Sequence, residues 1–509
     1  MAAITPTREQ ENAIKAFASG QRLVLQAGAG TGKTSTLELL ASSDTDRRGM
    51  YIAFNRSVKE AAKHRFPPRV QCATGHGLAY AAVGHRYQHR FGGARVPAWK
   101  SADTLGLHTS LTVKQRTFER TNLAYITKQT ILVYCHSADR ELSVHHVPLQ
   151  PGGEDPDIHR VLAATVLPYA QRAWEDVSRP DGDKLRVEHD HYLKVWQLTD
   201  PHINKQYILL DEAQDTNPAL EYVLNLQRPH AQIVLVGDSA QQIYTWRGAR
   251  DIMTGSDGTH LPLSQSFRFG PALAAEANRW LHIARTPLRL TGHTGTPTRL
   301  EAADHPNAVL CRTNGGAMAE VMYHLKHDRR VAMVGGGSVL RNLALAAKDL
   351  KAGNGTRHPE LYLFKTWGEV QDYAENDPAG ADLHPWVDLI DDIGTTAALE
   401  AVDRLGSEET SDVTISTVHK AKGREWPVVR IGEDFTEREP EPDANGKPGR
   451  IPRNEARLAY VAITRARHQL DIGGLAWFDA HPQANPQRPD ASPHISVNPW
   501  DRLGPSDHG

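Results

Sequence analysis

The most specific chemistry in this 509-residue chain lies at residues 23–36, Leu-Val-Leu-Gln-Ala-Gly-Ala-Gly-Thr-Gly-Lys-Thr-Ser-Thr. Gly28, Ala29, Gly30, Thr31, Gly32, Lys33 and Thr34 match the phosphate-loop spacing G-x-x-x-x-G-K-[ST], with Ala27 and Ser35 flanking it. Glycines there let successive backbone N–H groups face a phosphate chain, and a following helix N-terminus adds partial positive charge. Lys33 would reach the β and γ phosphates, and the Thr34 hydroxyl would ligate Mg²⁺. Asp211 and Glu212 follow a second apolar run, Tyr207–Leu210. At a strand tip, Asp211 would hold the ion through water, and Glu212 would orient and deprotonate the attacking water. Gln241 follows the apolar run Ile233–Val236 and could sense the γ-phosphate. Gln10, in a helix before the loop, is either a solvated residue or a reader of the adenine edge.

These groups need parallel strands to carry them. Leu23–Leu25, Met50–Phe54, Tyr207–Leu210 and Ile233–Val236 read as buried strands, and Ser35–Ala41 as the helix after the loop. The pattern restarts at Ala308–Cys311, with a helix from Asn314, a strand Val331–Val334 and a helix Val339–Lys351. Val413–Ser416, Val428–Ile431 and Leu470–Ile472 complete a second α/β unit, with a helix at Glu455–Ala462. The separation of Lys33 from Asp211 far exceeds one crossover, so an insertion interrupts the first unit.

Two stretches differ sharply in charge. Residues 86–130 hold eight Lys or Arg (Arg86, Arg90, Arg95, Lys100, Lys114, Arg116, Arg120, Lys128) against two acids, with Tyr87, Phe91, Trp99, Phe118 and Tyr125 interleaved. That mixture suits a nucleic-acid surface as well as a solvated face over an ordinary core. Residues 369–412 hold thirteen Asp or Glu and a single base, Arg404, which should repel a phosphate backbone. Tyr244 and Trp246, beside Arg247, are either core aromatics or base-stacking platforms. His189 and His191 could suggest a metal but lack further ligands.

The formal net charge of −2 advertises no nucleic-acid partner, so any basic track must be local. Cys72, Cys135 and Cys311 have no metal spacing and read as reduced thiols. No apolar run reaches membrane-spanning length and no signal peptide opens the sequence, so a soluble cytoplasmic protein, or a nuclear one if eukaryotic, is expected. Length and a 39% hydrophobic content allow two to four domains. Residues 480–509, with six prolines, read as a disordered tail.

In this order the segments resemble a superfamily 1 helicase of the UvrD/Rep class over residues 5–475. The resemblance rests on Gln10, the phosphate loop, Tyr51–Asn55, Thr74–His76, Asp211–Asp215, Gly237–Ala249, Gln265–Phe269, Thr417–Trp426 and Leu458–Arg467. Ile52–Asn55, His189–Lys194, Leu263–Gly270 and Thr417–Gly423 look closer still to the F-box DNA helicase branch. Because the sequence opens at this core no F-box is expected, and the resemblance fits a compact bacterial or phage relative better than the full eukaryotic protein; the short tail leaves no room for a nuclease domain.

The resemblance implies an α/β fold of two RecA-like P-loop domains in tandem, each with a mostly helical insertion. The expected divisions are 1–85 with 186–262, an insertion at 86–185, then 263–351 with 413–478, a short acidic insertion at 352–412 and a tail at 479–509. It implies ATP and Mg²⁺ between the domains, with Arg268 and Arg465 on the γ-phosphate, Phe267 near the base, Gln10 on adenine and Glu425 on ribose. Tyr244 and Trp246 would stack on bases, and Phe54, Asn55, His76, Arg247, Asn314 and His419 would line the same single strand. Arg424 stands where that family usually has leucine, which would add a local charge contact. The implied activity is ATP-dependent 3′→5′ DNA unwinding. The alternatives are a translocase that strips proteins from single strands and a catalytically silent DNA-binding scaffold. Single-stranded DNA, single-strand–duplex junctions and replication or recombination proteins are the expected partners of a monomer acting on DNA, with no membrane.

Overall fold

The computed structural model describes residues 5–91, 98–150, 155–243, 251–376, 378–437 and 448–484. The strands in chain order are β1 (Leu23–Ala27), β2 (Gly49–Ala53), β3 (Val70–Thr74), β4 (Leu111–Val113), β5 (Arg116–Phe118), β6 (Tyr207–Leu210), β7 (Gln232–Gly237), β8 (Thr259–Leu263), β9 (Arg299–Leu300), β10 (Ala308–Cys311), β11 (Val331–Met333), β12 (Val413–Thr417), β13 (Trp426–Ile431) and β14 (Ala466–Asp471). Six of them form a parallel sheet in the order β3-β2-β6-β7-β1-β8. A second parallel sheet has the order β11-β12-β10-β13-β14-β9. β4 and β5 make a separate antiparallel hairpin.

Helices cover the sheets, so the central strands are buried along their whole length and almost wholly apolar: every residue of β1, β2, β6 and β10 is buried, Gln26 of β1 among them. Local signals start the helices. Thr7 and Gln10 form a reciprocal capping box on the helix Arg8–Ala18. Asn217 caps Pro218–Gln227, where proline occupies the first turn.

Three expectations shift. β8 carries Pro262, which masks it as a strand in the sequence; it forms because it is an edge strand of its sheet, where a missing N–H is tolerated. The last strand begins at Ala466 rather than Leu470, since exposed Arg467 and His468 hide its start. The chain stays packed past the expected start of the tail at 479: His481 is buried, and the Ile451 N–H donates to the Gln483 side chain. Residues 485–509 lie outside the described residues.

Between β3 and β6 the chain builds long helices, Arg120–His136 and Pro156–Val177, whose core is continuous with that of the first sheet. Between β11 and β12 it builds Ser338–Lys351, Trp367–Asn376 and His384–Asp403, the last broken at Gly394 (φ +79°). The two excursions touch. The Tyr362 hydroxyl donates to Gln150 Oε1 at 2.6 Å, its ring lies 4.9 Å from that of Tyr125, and Leu363 packs on the first sheet's core.

The basic stretch at 86–130 proves largely committed. Arg90 is buried and bonded to Asp176, Lys114 pairs with Asp155, and Arg120 with Asp103. Lys128 donates to Ser101, and Arg116 lies over Phe118. Arg95 and the Trp99 side chain lie outside the described residues.

Candidate functional site

The loop between β1 and the helix Lys33–Ser43 turns through Gly30 and Gly32, both at φ +75°, a conformation that favours glycine. Gly32 ends the loop with no side-chain cap, so the first N–H groups of the helix face the turn. A Cβ on Gly30 would lie 2.6 Å from Ser266 Oγ and from Arg268 Cβ, so the segment joining the two sheets packs directly on the loop. The Phe267 N–H donates to the Gly30 carbonyl at 2.8 Å.

The strand tips beside the loop carry the acids. Asp211, at the end of β6, accepts from the Thr34 hydroxyl at 2.7 Å and the Tyr51 hydroxyl at 2.8 Å. Burial and the charge on Glu212 push the Asp211 carboxyl up. Glu212 sits in the left-handed region at φ +53°, a strained setting for a non-glycine residue. Its Oε1 lies 3.2 Å from Lys33 Nζ. Burial alone would raise the Glu212 carboxyl, but Lys33 and Lys422 outweigh it and hold it at about 2. Burial would lower Lys33, yet Glu212, Asp238 and Asp211 raise it. Asp238, after β7, accepts from Gln241 Nε2 at 2.7 Å.

The second sheet sends groups into the same place. The Tyr460 hydroxyl accepts from the Ala29 N–H at 2.9 Å and donates to Asp238 at 2.8 Å. Lys422 pairs with Asp215 at 2.5 Å, both buried, and donates to the Gln241 carbonyl. Arg465 is buried, with Nη2 3.4 Å from Gln241 Oε1; burial and neighbouring Arg268 push its guanidinium down to about 9. An anion entering beside Arg465 would relieve that penalty. Arg268 bonds Glu425 at 2.6 Å and the Thr464 carbonyl at 2.8 Å.

Several sequence-derived candidates have structural partners here. Gln10 is buried: its carbonyl accepts from the Thr7 N–H and its amide donates to Thr36 on the phosphate-loop helix. Glu425 faces Arg268 and Arg467. Phe267 is exposed, presenting its ring beside the loop. Asn55 caps Arg56–Lys63 by accepting from the Val58 N–H. His76 pairs with Asp190 at 2.9 Å. Phe54 is half exposed; Asn314 opens its helix, and burial lowers the His419 imidazole. Phe54, His76, Asn314 and His419 all follow the carboxyl ends of parallel strands (β2, β3, β10 and β12), where open α/β sheets bind ligands. Tyr244, Trp246 and Arg247 lie outside the described residues. His191 caps its own helix and His189 contacts Tyr192, so neither serves a metal cluster among the described residues.

The sequence offered no role for Tyr460, Lys422, Tyr51 or Asp215. Each sits inside a segment singled out for resemblance, but its partner is distant in sequence, so only the fold brings the pair together.

A glycine-bearing loop with an uncapped helix start, a lysine, a hydroxyl against a strand-tip aspartate and a neighbouring glutamate define a P-loop nucleotide site. The donor set suits a nucleotide with a divalent ion: N–H groups and Lys33 for phosphate, Thr34 and Asp211 for the ion. The UvrD/REP helicase N-terminal domain matches residues 6–254, and the UvrD-like helicase C-terminal domain matches 343–473. The chain belongs to the UvrD-like, superfamily 1 helicases. It is 28% identical over 494 residues to F-box DNA helicase protein 1 of Schizosaccharomyces pombe, covering 89% of this chain and 55% of that protein. It is 28% identical over 502 residues to F-box DNA helicase 1 of Gallus gallus, covering 91% and 48%. The ATP-dependent DNA helicase PcrA of Staphylococcus aureus is 27% identical over 266 residues, 47% of this chain and 34% of that one. The chain thus spans about half the length of the F-box relatives. No helix among the described residues is long and apolar enough to cross a membrane.

Proposed function

We propose that this chain is an ATP-driven DNA helicase that moves 3′→5′ along a single strand and separates duplex. The observation that carries the reading is the joint between the sheets: Tyr460 of the second reaches the phosphate loop of the first, Lys422 its Asp215 and Arg465 its Gln241. A group delivered by one lobe to the site of the other makes hydrolysis depend on closure, and closure moves the lobes. The direction comes from family likeness.

In this reading Thr34 and Asp211 would hold Mg²⁺, whose charge would polarise the phosphate oxygens. Lys33 leaves Glu212 for the β and γ phosphates. Glu212 thereby loses a cation that holds it at about 2, gains basicity and takes the proton of the attacking water. Gln241 and Arg465 stabilise charge at the γ-phosphate, joined by Arg268 once it exchanges Glu425 for phosphate. Gln10 faces adenine after releasing Thr36, Phe267 stacks near the base, and Glu425, freed, meets the ribose. Phe54, Asn55, His76, Asn314 and His419, with Tyr244, Trp246 and Arg247, form the strand track.

A stripping translocase is the second reading. It is favoured by the paired state of Arg90, Lys114 and Arg120, which leaves fewer cations for duplex phosphates. Strand separation on tailed duplexes of both polarities, with ATP hydrolysis followed in parallel, tests both. Unwinding of 3′-tailed duplex alone supports the helicase. DNA-stimulated hydrolysis with no unwinding, but with displacement of a bound protein, supports the translocase. Hydrolysis unmoved by DNA overturns both.

A further inference from the structure

Away from the nucleotide site, the turn that leaves the helix Arg120–His136 gathers Asp139, His145 and His146. His145 Nε2 lies 2.7 Å and His146 Nε2 3.0 Å from the same carboxylate oxygen, Asp139 Oδ2. All three ligand atoms fall within 4.8 Å of one another. We infer that this turn is a binding site for a divalent transition ion of the zinc type, held by Asp139, His145 and His146.

The spacing suits such an ion. Bonds of about 2.0–2.1 Å in a tetrahedron separate ligand atoms by roughly 3.3 Å, so the two nitrogens need move only a few tenths of an ångström from the oxygen. Ser143 faces the Nδ1 side of both rings, while Ser137 Oγ lies 3.2 Å from His146 Nε2 and would give way to the ion. His145 Nδ1 lies 2.6 Å from Ser143 Oγ, and His146 Nδ1 lies 3.2 Å from the Ser143 carbonyl. Outer contacts of this kind place the proton on Nδ1 and turn the Nε2 lone pair toward a metal. Ser143 also offers His146 Nδ1 its own N–H at 3.1 Å, which suits the opposite tautomer; ion binding selects the carbonyl partner.

The turn is braced from behind. Buried Lys194 donates to the carbonyls of Ser137 and Asp139, its ammonium stands over the Tyr134 ring, and Tyr134 meets the His146 ring edge-on. His146 is buried while His145 and Asp139 are exposed, so the remaining coordination position opens to water. Lys194 rides on the helix His189–Leu198, which also carries Asp190, the partner of His76. An ion here would tie the turn to the element that positions His76.

The test is a zinc titration of the metal-free, nucleotide-free chain against a chromophoric chelator. The sequence has 26 histidines, so wild type is compared with variants rather than read alone. Wild type should hold one equivalent of zinc that His145→Ala and Asp139→Asn lose; both side chains are exposed, and circular dichroism checks their folds. Ser143→Ala should weaken that equivalent by about 10–100-fold without abolishing it. Zinc should raise the melting temperature of wild type and not of His145→Ala. Equal zinc stoichiometry in wild type and both variants would overturn the site.

Discussion

The two parallel sheets share a design: a central strand, a short turn and a helix. In the first sheet the turn is Gly28–Gly32; in the second it is Arg312–Thr313. Their N–H groups have different fates. Around Gly32 no side chain caps the helix. After β10, Asp434 accepts from the N–H groups of Arg312 (3.0 Å) and Thr313 (2.7 Å) and from the Thr313 hydroxyl. Thr313 in turn caps the helix through the Gly316 N–H. A Cβ on Gly316 would lie 2.0 Å from Asp434 Oδ2, so that glycine accommodates the chain's own carboxylate. The second turn is an anion site already filled from within. Topology alone therefore does not make a nucleotide site; a helix start left without a side-chain cap is what the first turn adds.

The sharpest test of this contrast is chemical. Lys33→Ala should abolish ATP turnover. Glu212→Gln should bind ATP yet lose hydrolysis by about 10²–10⁴-fold, the scale of a general base, read as steady-state phosphate release. Normal turnover in Glu212→Gln would remove that residue as the base. Asp434→Asn should leave ATP affinity and turnover intact.

Next in size is stability. Asp434→Ala strands several buried donors and should cost about 1–3 kcal/mol in denaturant unfolding. An unchanged midpoint would mean that the second turn does not rely on its carboxylate.

A smaller effect treats the two sheets alike. Burial holds His191, beside the first sheet, and His324, beside the second, at about 4. Folded chain then binds fewer protons than unfolded chain between pH 6.5 and 4. Stability is full above pH 6.5 and falls as pH drops toward 4, by about 1 kcal/mol per histidine between pH 6.5 and 5.5. Unfolding curves of His191→Gln and His324→Gln should each show a shallower acid slope than wild type.

The least effect belongs to the acidic excursion of the second sheet. Asp391 is structural, bonded to Lys351, Trp367 and Gln371. Asp388→Asn with Asp392→Asn should leave tailed-duplex affinity unchanged or slightly higher across a salt series. Lost affinity with an intact fold would assign DNA contact to that excursion.

What could be read in advance divides along the same line. Tyr207–Leu210 and Ala308–Cys311 announce themselves because strands covered on both faces are apolar throughout. Pro262 and the Arg467–His468 pair hide β8 and the start of β14, whose residues answer to an edge and to solvent. The phosphate loop was legible because its groups are contiguous. Tyr460 on the Ala29 N–H and Lys422 on Asp215 were not, since they join opposite ends of the chain. Asn55 and His76 show the converse: a cap and an ion pair occupy residues that the family resemblance assigns to DNA.

One contact bears on how the lobes move. Among the described residues the chain passes from the first sheet to the second once, through Ser264–Gly270, and the two excursions are fastened again where Tyr362 meets Gln150. Where Tyr460, Lys422 and Arg465 let go of the first lobe and these two attachments hold, the freedom left is a swing about the line joining them. While that second attachment holds, the nucleotide cleft opens like a door on two hinges rather than a pair of jaws. In the function proposed above, a strand held across both lobes would feel that rotation, with a stride set by its distance from the line.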